Sequence, residues 1–248
     1  MTDTDDGADA ETAALVGAVG GAGTTRLAVE IGALLADGGA AVAVLDAAFA
    51  TQGLGDYLDG RLDPDLTALV TDRADAPLAE GLTDLDADVG GRVACCPAAA
   101  PFERLARAKS AEAARRFEDR VAEAAGAFDA VLVDVPPVAA NQAIAAVNAC
   151  DRTGLVAPAT DRGTDGRERM RARLRDLGAD ADADVATRGT DRTADASVPP
   201  AETGVTAAPT APDGDEFGDG IARAAAALLD ADVDRPEADG RFGAGDLL

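Results

Sequence analysis

Residues 13–46 read AALVGAVGGAGTTRLAVEIGALLADGGAAVAVLD, and this stretch decides the fold. It opens on a short apolar run at 13–18, which meets a glycine cluster, GAVGGAG, at 17–23. Beyond Thr24 the apolar residues Leu27, Ile31, Leu34 and Leu35 recur at i, i+4, i+7 and i+8, the spacing of one helix face. Gly38 and Gly39 supply a stop. AAVAVLD at 40–46 is then a buried-type strand ending in a carboxylate. Strand, glycine loop, helix and strand form one βαβ unit.

Downstream the same alternation continues. Residues 51–92 mix Gly, Pro and Asp with short helical pieces such as DLTALVTD, and RVACCPA at 92–98 reads as a strand. A helix is expected from about 102 to 125. FDAVLVDVPP at 128–137 is the clearest strand, its apolar core ending at Asp134 and stopped by Pro136 and Pro137. Helix at 140–151, strand at 153–159 and an Arg-rich helix over 163–178 follow. From 178 to 215 the composition shifts to Asp, Ala, Thr and Pro, with short strand candidates in ADVATRG and ADASVPP. EFGDGIARAAAALLDAD resumes as a last amphipathic helix. The pattern predicts an α/β fold, a doubly wound and mostly parallel sheet with helices on both faces. The expected organisation is an acidic disordered tail at 1–12, one domain over 13–232 that is loosely ordered at 178–215, and a flexible polar tail at 233–248.

Composition narrows the chemistry. Histidine is absent, which excludes Ser-His-Asp triads and His-ligated zinc. The three cysteines, Cys95, Cys96 and Cys150, lack paired-ligand spacing and are expected to be ordinary buried thiols of a reducing compartment. The N-terminus is acidic, without the features of a signal peptide, and no apolar run is long enough to span a membrane, so the expectation is a cytoplasmic protein without membrane insertion. The net charge is −24, and Lys109 is the one lysine beside 21 arginines. This balance resembles cytoplasmic proteins of extreme halophiles. In molar salt the Debye length falls to roughly 3 Å, so net charge there says little about partners.

The glycine cluster carries the functional signal. Main-chain N–H groups that converge ahead of a helix N-terminus offer donors and a positive dipole to an anion. Thr24 and Thr25 open the helix, and strands ending at Asp46 and Asp134 supply carboxylates. A hydroxyl after the loop and an acidic strand end are the parts that hold Mg²⁺ beside a β/γ-phosphate.

In these residues the chain resembles the MinD/ParA family of deviant P-loop ATPases, whose loop reads KGGxGKTT, whose second strand ends DxD and whose magnesium strand reads hhhhDxPP. CDRTGLVAPA and ADASVPPAE extend the likeness downstream. The resemblance implies ATP and Mg²⁺ as cofactors. It places Gly20, Gly21, Ala22, Gly23, Thr24, Thr25 and Arg26 at the nucleotide, and Thr25, Asp46 and Asp134 at the metal. It also implies a nucleotide-dependent homodimer that partitions or positions a cellular cargo. The departures bear on hydrolysis. Val19 stands at the family's first lysine and Thr24 at the central one, and Ala48 replaces the second carboxylate of DxD, leaving Asp46 as the catalytic candidate. A cation near the transferring group contributes on the order of 10³–10⁵ in rate, so weak or absent turnover is expected. The TadZ/CpaE branch also carries a loop, of GGVGATT type, with the central lysine changed. Arg26 lies two residues beyond that position, about 200° around the helix. The family's adenine-reading Asn is replaced within ATRG. The alternative is a pseudo-ATPase scaffold that has given up nucleotide. A metabolic relative, carboxylase-like or amidating, would need intact lysine chemistry.

A second signal is basic. Residues 101–120 hold Arg104, Arg107, Lys109, Arg115, Arg116 and Arg120, and residues 161–177 hold Arg162, Arg167, Arg169, Arg171, Arg173 and Arg175. These stretches read either as a docking surface for DNA or an acidic partner, or as helix faces paired with the abundant carboxylates.

Overall fold

The computed structural model describes residues 10–229. Eight strands form one sheet: β1 (Glu11–Gly17), β2 (Ala41–Asp46), β3 (Thr83–Asp84), β4 (Arg92–Cys96), β5 (Ala130–Val135), β6 (Arg152–Pro158), β7 (Ala183–Thr187) and β8 (Ala196–Val198), in the order β3-β4-β2-β5-β1-β6-β7-β8. Every neighbouring pair is parallel except the short β3 against β4. The central strands are apolar on both faces because both are covered. On one face lie α1 (Thr24–Asp37) and α7 (Glu216–Leu229). The other is covered mainly by α4 (Ala111–Ala125), α5 (Asn141–Ala149) and α6 (Asp161–Asp176), with α2 (Leu66–Leu69) and α3 (Phe102–Ala108) beside them. The expected doubly wound α/β architecture is present.

Three local differences from the sequence reading have physical causes. The helix expected over 102–125 is two helices, because the Ser110 hydroxyl accepts from Ala113 N and starts α4 afresh after α3 ends. β1 begins at Glu11, inside the expected tail, as Glu11 N donates to Asp129 O and Thr12 Oγ1 donates to Asp151. The segment 178–215 contains β7, β8 and two 3₁₀ turns, Val205–Ala207 and Ala211–Asp213. Residues 1–9 of the expected acidic tail and the whole polar tail at 233–248 lie outside the described residues.

Strand order positions the site. From β1 the chain crosses through α1 to β2, skipping β5, while β5 leads through α5 to β6 on the other side of β1. Connections diverging from neighbouring strands leave a crevice at their carboxyl ends, where α/β proteins bind ligands. Register completes it: Asp46 on β2 stands opposite Asp134 on β5. The sheet thereby brings both strand-end carboxylates together at its carboxyl edge.

Helix α6 braces the loop from the far side. A Cβ added at Gly166 would lie 2.4 Å from Val19 Cγ1 and 3.3 Å from Ala18 O. Gly166→Ala is therefore expected to destabilise the fold by about 1–3 kcal/mol through overpacking. Equilibrium denaturation checks this, and an unchanged midpoint would show that loop and helix separate freely.

Candidate functional site

The loop runs from the end of β1 at Gly17 to the first turn of α1. Gly21 and Gly23 have φ of +73° and +89°, a region that costs an L side chain roughly 1–2 kcal/mol. No atom stands within 4 Å of a Cβ added at Gly20 or Gly21, so the loop faces open space. That space is a cavity of about 560 Å³. It is bounded by the loop, by Thr51, Gly53 and Tyr57, by Pro136 and Pro137, and by Thr187, Arg188 and the 198–205 segment.

The residues expected at a metal come together. Thr25 Oγ1 donates to Asp134 Oδ2 at 2.5 Å, which leaves the hydroxyl lone pairs unspent. Asp134 is fully buried, and its Oδ1 has no hydrogen-bond partner. Asp46 is equally buried, but both its oxygens are engaged: Oδ1 accepts from Ala48 N at 2.7 Å and Oδ2 from Ala98 N at 3.3 Å. Burial, and then the neighbouring Asp134, push the Asp46 carboxyl up to about 8. Burial also raises Asp134, against the opposing pull of the Thr25 and Thr24 hydroxyls. A buried oxygen without a donor, beside a hydroxyl with free lone pairs and a second carboxylate, is a donor set of the hard-oxygen kind that suits Mg²⁺. The oxygens of Thr25 and Asp134 would hold a divalent cation, while Asp46 fixes the backbone at Ala48 and Ala98.

The nucleotide candidates divide. Gly20, Gly21, Ala22, Gly23, Thr24 and Thr25 line the cavity. Arg26 borders the cavity but is spent elsewhere. Its Nε donates to Glu30 Oε1 at 2.5 Å, and its other nitrogens bond to Thr203 O, Gly204 O, Thr203 Oγ1 and Thr210 Oγ1. Its guanidinium also lies over the Phe217 ring at 5.6 Å. Glu30, fully buried, completes this clasp by accepting from Thr210 N and Ala211 N. Sequence reasoning passed over Glu30, Thr187, whose hydroxyl donates to Ala22 O at 2.7 Å, and Gly53, which sits over the Thr25 hydroxyl. One signal was available: a glutamate four residues after an arginine within the loop helix.

Most of the basic stretches face carboxylates or carbonyls of the protein itself. Arg104 and Arg107 bond to Asp65 and Asp72, Arg116 to Glu112, Arg120 to Glu123, and Arg173 to Val138 O. Arg167, itself buried, pairs with Asp191, and Arg171 pairs with Asp184. Arg167 and Arg171 of α6 therefore turn onto the β7–β8 end of the sheet. The thiols of Cys95 and Cys150 are pushed up to about 12 by burial, and that of Cys96 is raised too, as befits inert cysteines. Among the described residues no group of three or more His, Cys, Asp or Glu side chains is placed to hold a metal ion, and no helix is long and apolar enough to cross a membrane.

No family model matches the sequence, and no curated protein does. Solved structures do match the fold. MinD from Pyrococcus horikoshii, complexed with Mg-ADP, aligns with a TM-score of 0.64 at 17% identity over 77% of this chain and 81% of that one. An ATP complex of a McdA variant from Cyanothece aligns with a TM-score of 0.58 at 22% identity, covering 73% of this chain and 72% of the other. Cobyrinic acid a,c-diamide synthase from Mycobacterium smegmatis, with ADP and magnesium, gives 0.60 at 19% identity over 74% and 77%. The fold is that of the MinD-type P-loop ATPases.

The Asp46 geometry has a pH signature. Its proton is held more tightly in the folded chain than at the ordinary 3.8, so folding loses stability as pH rises from there toward about 8. The stability of Asp46→Asn relative to wild type is expected to move in the variant's favour between about pH 5 and 8 in metal-free buffer. Denaturation midpoints of both proteins across that range check it; parallel curves would refute the buried-acid assignment.

Proposed function

We propose that the chain binds ATP with Mg²⁺ at the 17–25 loop and acts through nucleotide-dependent self-association, as a spatial-positioning protein with slow or no hydrolysis. The observation that carries the reading is the unpaired, buried Asp134 Oδ1 beside the Thr25 hydroxyl at the foot of an open glycine loop. An orphaned buried carboxylate oxygen is costly unless something binds it. The cation, when bound, would neutralise phosphate charge. The chain's own parts do the rest: loop N–H groups and the α1 dipole hold the phosphates, and Thr25 and Asp134 orient the metal.

Turnover is expected to be poor for a reason visible at the loop. Val19 packs toward α6 and Thr24 carries a neutral hydroxyl, so neither lysine position presents a cation to the phosphates. Ala48 offers no side chain to position a water, although its N–H anchors Asp46. The same fold in MinD and McdA supports the positioning role, while its occurrence in a diamide synthase shows that it also serves metabolic chemistry.

The test is titration calorimetry of ATP, ADP and GTP in concentrated KCl with and without Mg²⁺. Saturable, Mg²⁺-dependent ATP binding is expected, weakened at least tenfold in Thr25→Ala. Absence of saturable heat in the wild type would leave the scaffold reading, and unchanged heat in the variant would remove the assigned role of the hydroxyl.

A further inference from the structure

We propose that Arg188 supplies the cationic side chain that the glycine loop lacks, reaching the phosphates of a bound nucleotide from the β7 side of the cavity. The inference rests on the nucleotide reading above. Four observations carry it.

The first is position. Arg188 follows β7 directly, and Thr187 fastens that strand end to the loop through its bond to Ala22 O at 2.7 Å. A Cβ added at Gly23 would lie 4.0 Å from Arg188 Nη2, so the guanidinium stands beside the residue that opens α1. The second is backbone conformation. Arg188 has φ +59°, one of two non-glycine residues with positive φ among those described. That region disfavours an arginine by roughly 1–2 kcal/mol, and such outliers concentrate where a side chain must be aimed.

The third is the absence of a competing partner. In a chain with 46 acidic residues, Arg188 makes no ion pair or hydrogen bond among the described residues, whereas Arg26 is fully committed to Glu30 and the 203–210 segment. The fourth is independent of Arg188: the unpaired, buried Asp134 Oδ1 belongs to the carboxylate that Thr25 holds at the first turn of α1, the helix end beside which Arg188 stands. A guanidinium forms paired, charge-assisted bonds to phosphate oxygens, and its charge persists at any working pH. It would therefore replace a lysine from a different element of the fold.

Competition binding tests this at the lowest KCl concentration in which wild type, Arg188→Ala and Arg188→Lys keep the same far-UV circular dichroism. The probes are ATP, inorganic pyrophosphate and adenosine. Arg188→Ala is expected to weaken ATP and pyrophosphate at least tenfold and leave adenosine within twofold, with Arg188→Lys between the two. ATP affinity within twofold of wild type in Arg188→Ala would overturn the proposal and leave the nucleotide reading standing. Equal loss of adenosine and ATP would overturn it as well, since the residue would then act on the base or on cavity shape. A wild type that binds none of the probes overturns both readings.

Discussion

Two carboxyl groups set side by side and out of water cannot both ionise unless donors or a cation surround them. Asp46 and Asp134 are in that position because β2 and β5 pair in a register that brings their last acidic residues together. The protein resolves the two unequally. Asp46 is met by main-chain N–H groups of the segments leaving β2 and β4, which fixes both. Asp134 is met by the Thr25 hydroxyl from the first turn of α1, which fixes the helix that carries the glycine loop. Loop, helix and strand ends are thus held in one arrangement by a single electrostatic problem, and one oxygen is left over.

The changed loop residues are built into that arrangement. Val19 fills space against Gly166 of α6, and the Thr24 methyl lies against Gly17. Each has packing work where it stands, so the loop is well packed despite its lost charge. Among the described residues, many of the other cations are committed to internal pairs. Burying Arg167 against Asp191 joins α6 to the far end of the sheet, and an ion pair so shielded is costly to break from one side.

Much of this was legible in the residues themselves. The βαβ opening could be read because its signals are local: glycines at a turn, a 3.6-residue period, and apolar runs ended by carboxylates. The late strands β7 and β8 were legible from only three and two apolar residues. The break between α3 and α4 was hidden because its periodicity runs on across Lys109 and Ser110, and a single cap decides it. The neighbouring positions of Asp46 and Asp134 depend on strand order and register, which no single chain segment encodes. Nor could spacing alone tell that Arg26 turns toward Glu30 and the chain's later turns. That direction is set by a buried glutamate whose other oxygen is already receiving two main-chain donors.

The clasp formed by Arg26 and Glu30 has a mechanical corollary. Helix α1 bears the loop at its front and, one turn later, grips residues 203–211, which run directly into α7. Any tilt of that helix is transmitted, through a fastening too short to stretch, to the turns that wall the cavity opposite the loop. The loop at the front of the crevice and the turns at its rear thus share one anchor, the opening of α1.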